Sequence, residues 1–294
     1  KETTTCSLMS YGYNPNISKW SPYHGAITAF VESVAKIVAM GGNYHNIRFS
    51  FQEYFEKLLD NPSKWGKPFA ALLGAYKAQS ELKLPSIGGK DSMSGSFEDL
   101  DVPPTLVSFA ITASDTSDVV TPELKEAGHA LVEVMLPKDN YLVYDFVELQ
   151  KQYDAVMSLI KSKKVYSAYT VKDGGILEAV YKMAFGNEIG VKLNNDISLE
   201  SLISKNYGNI ILEVDKNFII NHNNIKEIGE TIDEKVISYK NEVVSLSDAL
   251  EIYANVLNKV YPTTEKALTS EIVNKDCYER TSLHSKEYYD EVNV

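Results

Sequence analysis

The sequence predicts an α/β protein in two parts. Three observations carry that expectation. Apolar residues recur along the chain at helical and then at alternating spacing, helix and strand in succession, from residue 21 onward. The polar run Asp115-Thr116-Ser117-Asp118 interrupts this series. And 294 residues exceed one typical domain. The expected division is 1–118, 119–262, and a polar, weakly periodic tail or linker over 263–294.

Residues 1–20 are polar, punctuated by Gly12 and Pro15, and read as strand and loop. Ser21-Pro22 supplies an N-cap hydroxyl and a first-turn proline. Ile27, Phe30, Val31, Val34, Ile37 and Val38 then recur at helical spacing until Gly41-Gly42. Asn46–Phe51 reads as a short strand, and its exit, Ser50 to Glu53, places polar groups at a strand end. A second amphipathic helix is expected from about Gly66 to Leu82, with Phe69, Leu72, Leu73 and Tyr76 as its apolar face. A glycine-rich loop follows, then an alternating strand, Leu106–Ala113. The second part should hold strands at Ala130–Leu136, Val165–Thr170, Ile189–Leu193, Asn209–Val214 and Val236–Tyr239. Helices are expected at Tyr141–Lys161, Ile176–Phe185 and Asp248–Val260.

Composition narrows the function classes. Hydrophobic content of 44% and charged content of 23% suit a globular chain with a sizeable core. A net charge of −11 argues against nucleic-acid or membrane-surface binding. That charge is uneven, −2 over residues 1–118 and −9 over the rest, so the first part is the better host for an anion. Two distant cysteines, Cys6 and Cys277, fit a reduced cytoplasmic chain without a disulfide framework or zinc site. A start at Lys1 rather than Met suggests a piece of something longer. The five histidines (His24, His45, His129, His222 and His284) show no metal-ligand spacing and are expected to be structural.

The chemistry concentrates in Ser86-Ile87-Gly88-Gly89-Lys90-Asp91-Ser92-Met93-Ser94-Gly95, which holds three glycines, a lysine, a carboxylate and three hydroxyls in ten residues. Paired glycines let bare N–H groups approach an anion. Lys90 adds a flexible positive charge, Asp91 a magnesium ligand, and Ser92 and Ser94 hydroxyls. The mixture suits a magnesium-bound polyphosphate. Its plainest alternative is a surface turn, and the spacing matches neither a P-loop nor GxGxxG.

The run GGKDSMSGSFEDLDVPPTLVSFA (Gly88 to Ala110) resembles the signature of phosphoribosylformylglycinamidine synthase, the large glutamine-dependent enzyme of purine biosynthesis. Gly12-Tyr13-Asn14-Pro15, WSPYHGA (Trp20 to Ala26), SFQEYFEKL (Ser50 to Leu58) and KWGKPFAALLGA (Lys64 to Ala75) resemble the same family, in its order. TVKDGGILEAVYKMAF, YGNIILEV and Ile228-Gly229-Glu230-Thr231 extend the resemblance toward residue 260. It implies an aminoimidazole ribonucleotide synthase-like two-domain fold, with an N-terminal half-barrel domain and a C-terminal α/β domain. The chain would be the second of two fused synthetase copies, partnered by the first copy and the glutaminase domain of the same polypeptide. The implied reaction is ATP-dependent conversion of formylglycinamide ribonucleotide and glutamine to formylglycinamidine ribonucleotide, with ATP and Mg2+ as cofactors.

Carried onto this sequence, the family's pattern implies that Gly88 and Gly89 offer amides to ATP phosphate and that Ser92 binds substrate. Lys90 stands where smaller relatives have a metal-ligating asparagine, which leaves Asp91 as metal ligand or Lys90 as phosphate clamp. Gln52 is a weaker nucleotide candidate. No catalytic residue is expected here, because the family's catalytic histidine belongs to the first copy. A second, structural nucleotide site is implied near Glu32, a metal ligand in the family, but Lys36 and Thr170 replace two of its partners, so weak or absent binding is expected. The alternative role is a non-catalytic scaffold that pairs with the first copy and holds the glutaminase domain. Alone, the fragment is expected to be inactive and to form a homodimer through its uncovered half-barrel.

Overall fold

In the computed structural model, described for residues 3–218 and 224–262, β1 (Thr5–Gly12) leads through α1 (Pro15–Trp20) into α2 (Pro22–Ala39). Next come β2 (Arg48–Tyr54), α3 (Pro62–Leu82), β3 (Ser86–Lys90), the two-residue strands β4 (Ser96–Phe97) and β5 (Leu100–Asp101), and β6 (Thr105–Asp115). Then follow β7 (Ala130–Val134), α4 (Phe146–Lys161), β8 (Val165–Thr170), α5 (Gly175–Asn187), β9 (Gly190–Leu193), α6 (Leu199–Ile203) and β10 (Ile210–Val214). β11 (Ile225–Ile232), β12 (Val236–Tyr239), β13 (Glu242–Ser245) and α7 (Leu246–Asn255) complete the order. Up to Leu250 the chain is one compact unit; of the second, the described residues end α7 and make a turn. The expected tail over 263–294, with Cys277 and His284, lies outside the described residues, as does His222.

Two main sheets result. The first has the order β1-β6-β2-β3, the second β13-β12-β9-β11-β7-β10-β8. In the first, β1 and β2 flank β6 antiparallel, while β3 pairs parallel to β2 and forms the edge. In the second, every pairing is antiparallel except β12 with β9. Its central strands are buried on both faces. Val132, Val134, Ile210 and Leu212 point into a core shared with α2 and α4, and Leu131 and Ile211 into another with α5. Among the described residues, no helix is long and apolar enough to cross a membrane.

α2 is the shared wall. Ser21 caps it by accepting from the His24 amide, and Pro22 opens it. Fourteen of its eighteen residues are buried, so its apolar positions form no single stripe. Phe30 stacks on Phe49 of β2 at 4.2 Å, and Val31 and Val34 share a core with Tyr153 and Val156 of α4. A further clasp joins the segment after β1 to the second sheet's loops. The Asn14 side-chain amide donates to the Tyr207 hydroxyl at 2.7 Å and to Asp173 at 3.0 Å, while its carbonyl caps α1.

Against expectation, α3 presents its small face to the core. Ala71, Gly74, Ala75 and Ala78 are buried, whereas Phe69, Leu72, Leu73 and Tyr76 are exposed. The reason is distance. A Cβ on Gly74 would lie 2.2 Å from the Tyr23 carbonyl oxygen of α2, so the helices touch where only glycine fits. The expected strands are present; helix bounds differ at α3, α4 and α7, and β3, β4, β5, β11 and β13 are strands the sequence reading did not name. α4 begins at Phe146, capped by Asp145, and α3 begins at Pro62, capped by Asn61. β11 is an additional strand, interrupted by a bulge between Glu227 and Gly229.

Two outcomes should follow. In α3, Gly66 faces open space, so Gly66→Ala should stabilise by about 0.5–1 kcal/mol through lost unfolded-chain entropy. Gly74→Ala should instead destabilise by about 1–3 kcal/mol by overpacking. Denaturant melts of both variants check this, and equal shifts would contradict the packing described. The second concerns Glu133, buried on β7, where Asn209 donates to it at 2.7 Å. Burial pushes its carboxyl above the usual range, against the lowering by Asn209 and Lys226. Between the ordinary carboxylate range and that raised value, the unfolded chain has lost a proton that the folded chain keeps, so stability falls as pH rises. Glu133→Gln keeps an acceptor for Asn209 and should lack that fall in melts run across the weakly acidic range.

Candidate functional site

The glycine-rich stretch is an edge strand continuing into a loop. Phe49 pairs with Ser86, the register shifts, and Ser50, Phe51 and Gln52 then face Gly88, Gly89 and Lys90. Both glycines have a reason. A Cβ on Gly89 would stand 2.3 Å from the Phe51 carbonyl oxygen, and Gly88 has φ +147, a backbone that side chains rarely adopt. Beyond Lys90 the loop is tied down by its backbone. The Ser92 amide donates to the Glu53 carbonyl at 3.1 Å, Phe55 donates to the Ser92 carbonyl at 2.9 Å, and Gly95 donates to Phe55 at 2.9 Å. A free surface turn would carry none of these bonds.

At the exits of β2 and β3 lies a cleft of about 260 Å³, lined by Phe51, Glu53, Leu72, Gly88, Lys90 and Asp91 among others. Gly88, Gly89, Lys90 and Asp91 therefore come together as the sequence suggests. Gln52 does not line this cleft; it faces Lys90 in register, and its side-chain amide donates to the Glu53 carbonyl at 3.1 Å. Ser92 stands just beyond, its hydroxyl 2.8 Å from that of Ser94. Lys90 and Asp91 are exposed, and Lys90 makes no ion pair among the described residues.

Glu53, placed by the sequence reading only among the polar groups at the strand exit, was given no role there. It is 7% exposed, lines the cleft, and leaves one carboxylate oxygen without a hydrogen-bond partner among the described residues. Burial, with Asp91 adding repulsion, pushes its carboxyl up to about 7. The alternation Phe49, Phe51, Glu53 was the available signal, because it puts a carboxylate on the inward face of a strand. Glu53 and Asp91 present hard oxygen donors of the kind magnesium takes. No group of three or more His, Cys, Asp or Glu side chains that could hold a metal exists among the described residues.

Glu32 lies elsewhere, at the start of α2's contact with β1. One oxygen accepts from the Tyr13 amide at 3.1 Å and the other meets Lys36 at 2.7 Å. The Lys36 ammonium also donates to the Tyr11 carbonyl at 2.6 Å and sits 4.5 Å from the Tyr11 ring centre. The pair thus joins a buried carboxylate to a half-buried ammonium one turn along the helix. A separate cleft of about 380 Å³ opens beside it, lined by Lys36, Tyr169, Thr170 and Lys172 among others.

The remaining candidates among the described residues make contacts within the fold. The His24 ring joins Ser21 to the Tyr141 carbonyl, His45 meets Asp154, and His129 meets the buried Glu213. Asp173-Gly174-Gly175 is a turn that holds Asn14 and Lys205 through Asp173 and needs Gly175 at φ +69.

No family model matches the chain. It is 24% identical over 259 residues to phosphoribosylformylglycinamidine synthase subunit PurL of Thermoplasma volcanium, covering 78% of this chain and 33% of that protein. Among solved structures, Thermotoga maritima PurL complexed with its ligand FGAR aligns with a TM-score of 0.66 at 15% identity, over 83% of this chain and 45% of that one. Thiamine monophosphate kinase of Aquifex aeolicus complexed with AMPPCP and TMP aligns with a TM-score of 0.61 at 12% identity, over 83% of this chain and 86% of that one. The chain spans about a third of the length of the curated relatives it matches. In sequence it resembles PurL, and its fold is aminoimidazole ribonucleotide synthase-like.

Proposed function

We propose that this chain, with the fold of the PurL synthetases and a sequence resembling theirs, supplies one wall of an ATP and substrate site in a formylglycinamidine ribonucleotide synthase. The observation that carries the reading is the cleft at the exits of β2 and β3, where Gly88, Gly89, Lys90 and Asp91 meet. In the reaction so read, ATP activates the amide oxygen of formylglycinamide ribonucleotide. Ammonia released from glutamine by the glutaminase domain then displaces phosphate. Phosphoryl transfer of this kind depends on positioning and charge neutralisation more than on covalent chemistry by the protein. Amides of the bare β3 edge orient phosphate oxygens, the unpaired Lys90 ammonium neutralises charge on them, and Ser92 holds substrate. Mg2+ held at Asp91 would, when bound, offset the remaining phosphate charge. Gln52 stands across the pair from Lys90 but does not line the cleft, so the nucleotide contact expected of it is no part of this reading.

The partners in this reading are the first synthetase copy and the glutaminase domain of the same polypeptide. The open face of the first sheet is where the first copy would sit. Met9 pairs with Ile111 and Tyr11 with Phe109, and all four side chains are exposed, while Leu8, Gly12, Ser108, Ala110 and Thr112 between and beside them are buried and Ser10 is half-buried. The same face favours the second reading, a scaffold whose task is pairing.

Calorimetric titration with magnesium-ADP separates the two readings. Heat of binding in the wild-type chain, lost in the Lys90→Ala, Asp91→Ala variant, is expected for a working site at β3. Binding unchanged in the variant would remove the cleft from the nucleotide site and leave the scaffold reading. Sedimentation at tens of micromolar should show the isolated chain as a dimer through Met9, Tyr11, Phe109 and Ile111. A monomer at that concentration would contradict a pairing face there.

A further inference from the structure

We propose that Glu53 and Asp91 are the two protein ligands of one divalent cation at the exits of β2 and β3, with oxygens of an anionic ligand and water completing its shell. The backbone sets this up. Gln52 and Lys90 are the last paired residues of two parallel strands, so the next residue on each, Glu53 and Asp91, falls on the opposite face, side by side. The bond from the Ser92 amide to the Glu53 carbonyl fixes the two exits against each other. Both side chains line the same cleft.

The demand for a cation comes from Glu53 itself. It is more than nine-tenths buried with a partnerless oxygen, on a wall that also holds Phe51 and Leu72. A buried carboxylate left so is costly, and a second carboxylate beside it raises the cost. Among the described residues no ion pair reaches Glu53: Lys64 and Lys67 both pair with Glu56 instead, and Lys57, the nearest lysine in the chain, is exposed and makes none. Lys90 lines the cleft without pairing to either acid. An anion could not approach two such carboxylates unaided. Two carboxylates with further oxygens from water and phosphate are the ligand set that magnesium prefers over an all-protein cage. The cation site rests on the nucleotide reading above only for the identity of the anion.

The test uses the full chain and Mn2+ alone, followed by water-proton relaxation enhancement. One saturable site is expected in the wild type, displaced by Mg2+. Glu53→Gln and Asp91→Asn should each weaken it by roughly tenfold or more, while Asp99→Asn, at an exposed acid, should not change it. In the wild type, Mn2+ should broaden the backbone amide resonances of Glu53 and Asp91 before those of Tyr13 and Lys36, a measurement that needs no variant to fold. Binding in Glu53→Gln as tight as in the wild type would overturn the assignment, as would a folded wild type without a saturable site. Adding ADP distinguishes the two failures. Mn2+ bound through Glu53 but not tightened by ADP leaves the cation site and refutes the nucleotide reading. Metal–ADP binding undiminished by Glu53→Gln does the reverse.

Discussion

The structure depends on α2 being narrow. It is buried nearly all round because three separate elements come against it, each through a glycine, two of them at its backbone and one at the Val31 side chain. A Cβ on Gly12, at the end of β1, would lie 2.0 Å from the Ala29 carbonyl oxygen. Gly74 of α3 stands equally close to the Tyr23 carbonyl, and Gly208, ahead of β10, leaves no room beside Val31. Helices approach closely only where side chains are small, and dense packing makes such positions intolerant of added volume. α2 therefore fixes where the first sheet, α3 and the loops of the second sheet stand relative to one another, within one compact unit. The exits of β2 and β3 take their place from that arrangement, since Phe49 of β2 stacks on Phe30 of α2.

Much of this was legible in the sequence, and the exceptions share a physical cause. Helix and strand positions follow from periodicity because burial on one face imposes it. Which face of α3 is buried does not, because the helix has two candidate faces. Phe69, Leu72, Leu73 and Tyr76 form the more apolar one, but the partner helix accepts only the smooth one of Ala71, Gly74, Ala75 and Ala78. Hydrophobicity ranks the faces wrongly when contact distance decides. β3 reads as a loop for a related reason: glycine signals a turn locally, whereas here it lets an edge strand lie against the Phe51 backbone. β11 hides its alternation behind the bulge before Gly229.

The site was legible as a stretch rather than as a set. Sequence order brings Gly88 to Asp91 together without any fold, and the structure adds Glu53 from another strand, 38 positions earlier in the chain. Only the register of a parallel pair relates such residues, and register is not visible in one sequence. Gln52 illustrates the converse. It matches a polar position by resemblance, yet strand alternation gives it the opposite face from Glu53.

Two buried glutamates in the same part of the chain show how differently one charge can be accommodated. Glu32 is supplied from within: the Tyr13 amide takes one oxygen and the Lys36 ammonium the other, and that ammonium is itself held by the Tyr11 carbonyl and ring. A tethered cation of this kind satisfies the carboxylate permanently. Burial is the chief influence on Lys36, pulling its pKa down, and contact with Glu32 works against it. Glu53 has no such partner among the described residues, although it is as deeply placed. A carboxylate satisfied by its own chain gains little from a ligand, whereas one left unsatisfied at a cleft wall gains a full set of charge-assisted contacts when a cation arrives. The free energy available for binding is therefore stored at Glu53 and already spent at Glu32. In the reading proposed above, that difference puts the cation at the exits of β2 and β3, while Glu32 and Lys36 join α2 to β1.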